Sequence, residues 1–280
     1  MVNGRRDRAE GWKHAKLSGH ENEKRVCELL ASDIVTQKRF LDVADFPDAK
    51  IVECSFGGLR EENVPSIIGE GKKTKSKVDM SVKLSNGKTV GVSIKKSAGG
   101  QVYLIGVEKF IDGMETHYGK KIPESVRRAM RLYWGSASDA ADIIERFSSD
   151  EKIKKYELRK HRLTAGTLLA YDKQLYDDLL EWFKENIGDI MDFCFSRGQA
   201  KNASDWADVI WYKNMIGEND MDAIYHIDEL CEKAKGRTEE ICRGTRGGGT
   251  TICLPFGFVQ WHKSSMQFHH NMRKLLELSE

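Results

Sequence analysis

A mixed α/β fold is predicted for this chain: a central β-sheet flanked by helices, then a helical middle region and a β-rich C-terminal segment. Three patterns lead there. Residues 78–94 alternate apolar and polar side chains around an Asn86-Gly87 turn, which marks a hairpin. Residues 123–235 carry mostly helical spacing, and from Gly244 onward the chain changes to a Gly-rich loop and short β-forming runs. With 280 residues, 40% hydrophobic and 31% charged, and only four Pro, the chain can bury a full core and is too apolar for disorder.

Taken in order, Val26, Leu29, Leu30 and Ile34 follow a helical spacing after Gly19 and predict a first helix over 20–32. A strand is expected over 50–56. Val78, Met80, Val82 and Leu84, then Val90, Val92 and Ile94, form the apolar face of the hairpin. Helical spacing resumes over 101–117. Further helices are expected over 123–134, with Pro123 at the start and Gly135 at the end, and over 138–147, 167–195, 203–216 and 220–235. The stretch TTICLPFGFVQWHKSSMQFHH predicts two or three short strands. No internal repeat is visible. A core over 1–120 and a portion over 121–280 packed against it are the expected regions.

Formal net charge is only +2, but its distribution is uneven. Over 71–109 the acids are Asp79 and Glu108 alone, set among nine lysines, and 241–276 contains no acid at all. Two basic stretches of this kind suit a polyanion-binding surface. No apolar run approaches the length of a membrane span, and the start MVNGRRDRAEGWKHAK lacks the apolar stretch of a secretion signal. A cytoplasmic location and no membrane partner are therefore expected. The six Cys lack any CxxC spacing and are expected to be buried thiols. A zinc site from Cys231, Cys242, Cys253 and His262 is rejected because the spacings are long and irregular. Gly247-Gly248-Gly249 lacks the Gly-Lys-Ser/Thr ending of a phosphate-binding loop.

Strand register locates the chemistry. A two-residue turn would set Met80 against Ser93 and mix the faces, whereas a three-residue loop, Ser85-Asn86-Gly87, pairs Met80 with Val92 and Val82 with Val90. Asp79 then lies opposite Ser93, with Lys95 next along the same face. A carboxylate, a hydroxyl and an ammonium group converge there. A metal held by Asp79 would polarise a phosphate while Lys95 stabilised developing negative charge or positioned water.

The segment KVDMSVKLSNGKTVGVSIKKSAGGQV resembles the PD-(D/E)XK nuclease superfamily, type II restriction endonucleases in particular. Asp79 matches the first acid, Ser93-Ile94-Lys95 the (D/E)-X-K, and Gln101 a Gln that often follows. The likeness covers roughly 19–118 and implies a restriction-endonuclease-like core, Mg2+ as cofactor and double-stranded DNA as partner. Ser93 departs from the pattern, which usually has an acid there. Some members with Ser-X-Lys carry the missing acid on the following helix, which implies Glu108, seven residues after Gln101 and on the same face of a helix beginning there. Members also place a metal-associated Glu on the first helix, which implies Glu23 after Gly19. Asp79 with Glu108 or Glu23 would suffice for a hydrated Mg2+. Glu62 and Glu70 stand in reserve.

The C-terminal segment RGTRGGGTTICLPFGFVQWHKSSMQFHHNMRK carries side chains suited to DNA, since Arg pairs with guanine and Gln with adenine. Arg243, Arg246, Gln260, His262, Lys263, Gln267 and His269 are the candidates, with Lys96 and Gln101 beside the hairpin. The expected function is an Mg-dependent, sequence-specific double-stranded DNA endonuclease of the type II restriction class. A structure-specific repair or phage nuclease is the first alternative. A catalytically inactive nuclease-fold DNA-binding protein, suggested by Ser93, is the second. A second copy of the chain is a further candidate partner.

Overall fold

The apolar alternation of residues 80–94 builds one sheet, and three residues, 96–98, carry the chain from it into another. A computed structural model describes residues 8–56, 63–135, 137–217, 221–244 and 249–280, with backbone alone over 8–18. Helices α1 (Arg8–Ser32) and α2 (Ile34–Val43) come first. They part at Asp33, whose carboxylate accepts the backbone N–H of Thr36 at 2.8 Å and caps α2. Val26 and Leu30 are buried, as their spacing predicts. Ile34, grouped with them by the same spacing, instead opens α2 and is 73% exposed.

Strands β1 (Ile51–Phe56), β2 (Val64–Pro65), β3 (Lys73–Thr74), β4 (Met80–Leu84) and β5 (Thr89–Lys95) follow. The hairpin of β4 and β5 has the expected register: Met80 faces Val92 and Val82 faces Val90. Its loop closes through Leu84 N–H to the Lys88 carbonyl at 2.8 Å, with Gly87 left-handed at φ 81°. The helix expected over 101–117 begins late. Its first residues form β6 (Gly99–Gly106), and α3 (Val107–Tyr118) follows. Short apolar runs such as residues 102–105 fit either period, and pairing with a distant strand decides for β.

Helix α4 (Glu124–Trp134) starts after Pro123 and ends at Gly135, left-handed at φ 86°, as predicted. Helices α5 (Ala140–Phe147) and α6 (Glu151–Lys160) come next. The single helix expected over 167–195 is three: α7 (Ala165–Tyr171), α8 (Lys173–Glu185) and α9 (Ile187–Asp192). Asp172 makes the first break by capping the N–H groups of Gln174 and Leu175.

The helix expected over 203–216 is overturned by strand β7 (Val209–Lys213), and 220–235 divides into β8 (Asp222–His226) and α10 (Ile227–Lys235). Val209, Ile210, Trp211 and Tyr212 are all buried, so this strand is apolar on both faces and shows no alternation to read. The end of the chain forms β9 (Arg243–Gly244), β10 (Thr251–Leu254), β11 (Gly257–His262), β12 (Ser265–Asn271) and α11 (Met272–Ser279).

The first sheet is mixed, in the order β1-β4-β5-β7-β8, with β5 and β7 parallel and its other pairs antiparallel. Helices flank it. Val26 and Phe40 pack on one face with Met80, Val92 and Trp211, while Ile210 and Tyr212 on the other face join the larger core of α3, α4 and α7 to α10. The second sheet is antiparallel, in the order β6-β12-β11-β10-β9, and buries Val259, Met266 and Phe268 in that same larger core. Each sheet draws strands from both sides of residue 120, so the two expected regions interleave. Among the described residues no helix is long and apolar enough to cross a membrane. Cys27, Cys194 and Cys231 are buried thiols as expected, Cys54 and Cys253 are half-buried, and Cys242 is exposed.

Candidate active site

Asp79 precedes β4, and its N–H donates to the Val92 carbonyl at 2.9 Å, which holds it across from Ser93. One carboxylate oxygen, Oδ2, accepts the Ile94 N–H at 2.8 Å and the Ser93 hydroxyl at 3.2 Å. Lys95 Nζ donates to Ser93 Oγ at 2.7 Å and stands 3.9 Å from Asp79 Oδ2. The three side chains thus form a relay, ammonium to hydroxyl to carboxylate. Ser93 is buried, while Asp79 and Lys95 keep a solvent-facing edge. The hydroxyl bridges the two charged groups, which also form an ion pair at 3.9 Å.

Glu23 reaches the same place from α1. The preceding residue fixes that helix: Asn22 Nδ2 donates to the Lys213 carbonyl at 2.9 Å, and its Oδ1 accepts the Met215 N–H at 2.7 Å. Glu23 Oε2 is 3.2 Å from His20 Nδ1. Burial and the negative charge of Asp79 push the Glu23 carboxyl above its ordinary range, against the pull of His20 and Lys95. Glu23 thus feels the charge of Asp79, and it lines a cavity of about 220 Å3 together with Lys95, Lys96, Gln101 and His270.

The sequence did not single out His270. It points inward from β12 because Met266, Phe268 and His270 alternate with the outward Gln267 and His269, a period-2 signal that identifies it once the strand is known. Its Nδ1 lies 2.6 Å from the hydroxyl of Tyr212, the residue paired with Lys95 across β5 and β7. Burial, with the charges of Lys95 and His269, lowers this imidazole to about 3 and keeps it neutral. Beneath the site Lys77 is half-buried, its ammonium donating to the carbonyls of Cys194 at 2.7 Å and Val102 at 3.3 Å. Its ammonium sits 3.7 Å from the centre of the Tyr103 ring, and burial brings it down to about 7.

Glu108 is not brought to this cavity. It lies in the first turn of α3, beyond the far end of the eight-residue strand β6, whose length is roughly 25 Å. Arg131 holds it there through two bonds of 2.9 and 3.0 Å, which keep its carboxyl below the usual range. The expectation failed because Gln101 belongs to a strand, so no helix face joins it to Glu108. Glu70 is exposed in the turn before β3, and Glu62 lies outside the described residues.

Of the DNA-binding candidates, Lys96 and Gln101 border the cavity. Gln260, Gln267 and His269 share the outward face of the second sheet with Gln101 and form one hydrogen-bonded chain with it. His262 and Lys263 lie at the β11–β12 turn, where Lys263 and Ser264 take φ of 48° and 59°. Arg243 is exposed on the far edge strand, β9, and Arg246 lies outside the described residues.

No protein-family model matches the chain, and no curated protein does. Among solved structures it is similar to restriction endonuclease MspI in complex with its cognate DNA. The identity is 14% and the TM-score 0.46, over 84% of this chain and 76% of that one.

Metal ligation is limited to a small set. Among the described residues no group of three or more His, Cys, Asp and Glu side chains is placed to hold an ion. Two carboxylates, Asp79 and Glu23, stand near Lys95, and the charge of Asp79 raises the cost of ionising Glu23. Hard oxygen donors of this number fit a cation that keeps most of its water, as Mg2+ does.

Proposed function

We propose that this chain is an Mg2+-dependent endonuclease that hydrolyses phosphodiester bonds in double-stranded DNA at a specific sequence, in the manner of a type II restriction enzyme. The observation that carries this reading is the Lys95-Ser93-Asp79 relay, whose Lys95 shares one cavity with Glu23. Asp79 and Glu23 would hold the ion, and when bound it supplies a Lewis acid that polarises phosphate oxygens and acidifies water. Lys95 then has two tasks within the chain's own machinery: its ammonium offers hydrogen bonds to a phosphate oxygen gaining charge, and it orients the attacking water. Ser93 fixes the direction of Nζ. The Ile94 N–H and the Ser93 hydroxyl both engage Oδ2 of Asp79 and so fix the plane of that carboxylate. His270, neutral and buried, seals the wall opposite α1 without adding a positive charge.

Two basic stretches on the chain supply the phosphate contacts that duplex binding requires. The deciding experiment is incubation of the purified protein with phage or plasmid DNA in Mg2+ and in a chelator. Discrete fragments that form in Mg2+ alone and vanish in Asp79→Asn are expected. Fragments without fixed ends would point to a structure-specific nuclease. Intact DNA under all conditions, with duplex binding retained, would point to a binding protein without catalysis.

A further inference from the structure

Two thiols from different elements meet where α1 packs on the edge strand of the first sheet. Cys27 Sγ on α1 lies 2.9 Å from Cys54 Sγ on β1, and Cys54 Sγ lies 3.4 Å from Met80 Sδ on β4. The separation of the thiol sulfurs is roughly 0.9 Å longer than a disulfide bond, so a small approach of α1 closes it. Cys27 is buried and Cys54 half-buried, which leaves Cys54 as the side open to a small reagent.

The pair also shares its protons. As a dithiol, Cys27 donates to Cys54 and Cys54 donates to Met80. Once one proton has left, the Cys54 S–H turns to the Cys27 thiolate. That hydrogen bond holds Cys27 below the ordinary thiol value, against the opposing effect of burial, and the same bond together with burial raises Cys54. The pair therefore yields a thiolate directed at its own partner.

We infer that Cys27 and Cys54 are a redox modification site, closed by a low-molecular-weight disulfide such as oxidised glutathione into a bond that fastens α1 to β1. Cys54, the more open thiol, is the point of entry. Its sulfur displaces one thiolate from the small disulfide to form a mixed disulfide, and its proton goes to the thiolate released. The Cys27 sulfur then attacks Cys54, displaces the second thiolate and passes its proton to it. The protein loses two electrons and two protons, and the small disulfide becomes two thiols. The new bond closes the segment 27–54 and so restricts the unfolded chain. Glu23 precedes Cys27 by about one turn of α1, so the bond fixes that helix close to the candidate active site. The inference does not depend on the endonuclease reading.

The test incubates the full-length chain with oxidised glutathione, alkylates the remaining thiols and digests the product with trypsin in the absence of reductant. Cys27 and Cys54 fall in separate peptides, 26–38 and 51–60, and neither peptide holds another Cys. The expected product is these two peptides joined within one chain and released by dithiothreitol. The thermal midpoint of the oxidised chain should exceed that of the reduced chain by about 5 °C or more, and Cys54→Ser treated in the same way should show no such rise. Cys27→Ser should stop at the mixed disulfide and keep one glutathione on Cys54. Peptides that stay separate, or that join only between two copies of the chain, overturn the site. A joined pair that leaves the midpoint unchanged overturns the fastening of α1.

Discussion

A hydroxyl between Lys95 and Asp79 makes the ammonium a directed group, and single substitutions there have separable effects. Lys95→Ala is expected to lower cleavage by about 10^3-fold or more while leaving duplex affinity within a few-fold, measured by gel cleavage and by anisotropy. Asp79→Asn and Glu23→Gln should each abolish Mg2+-dependent cleavage. Glu108→Gln should retain it, since that carboxylate serves Arg131, and the lost surface pair costs under about 1 kcal/mol in denaturant unfolding. Loss of activity in Glu108→Gln would return the second metal ligand to α3. Asp79, Ser93 and Lys95 were legible in the sequence because a period-2 register brings near neighbours across a hairpin. The Gln101–Glu108 pairing was misread because it presumed a helix where β12 recruits a strand. His270 was illegible because 175 residues separate it from Lys95, and only the β12–β6 pairing brings them together.

At the scale of elements, caps and close approaches matter most. Pro123 and Gly135 announced α4 to within a residue, since a fixed φ and a left-handed end are properties of those residue types. Strand β7 gave no such notice, being buried on both faces. Its seat beside β5 depends on Gly91, where an added Cβ would meet the Trp206 carbonyl at 2.5 Å and Val78 Cγ2 at 2.9 Å. Gly91→Ala is expected to destabilise the chain by about 1–3 kcal/mol in urea titration, because a backbone carbonyl cannot rotate away. Asp222 ties β7, β8 and α2 together. Burial pushes its carboxyl up, but bonds from Lys213 at 2.7 Å, Trp211 at 3.0 Å and Arg39 outweigh that and hold it below the ordinary value. A lowered native value stabilises the fold above the unfolded value of about 3.9, and that contribution fades as pH falls through the native one. Asp222→Asn should therefore cost about 1–3 kcal/mol at neutral pH, with the difference from the unaltered chain shrinking below about pH 4.

Across the whole molecule the sequence disclosed the class of fold and the sign of its basic stretches, but not how the two sheets share the chain. Sheet partners are set by contacts between residues more than a hundred positions apart, such as Ser93 with Ile210 and His269 with Gln101, and no local pattern encodes them. A fragment of residues 1–120 would lack β7 and β8 and leave one edge of β5 unpaired. It is expected to show no cooperative thermal transition by circular dichroism, whereas the full chain should melt as one unit. The passage of the chain between the sheets has a metrical consequence. Lys95 ends one sheet and Gly99 begins the other, so under the proposed function the span between the cutting lysine and the DNA-binding candidates of the second sheet is a ruler three residues long. One extended residue adds about 3.4 Å, nearly the rise per base along a DNA strand. Lengthening the ruler by a single glycine should move the cut by one nucleotide relative to the recognised sequence, a displacement that mapping of the fragment ends would register directly.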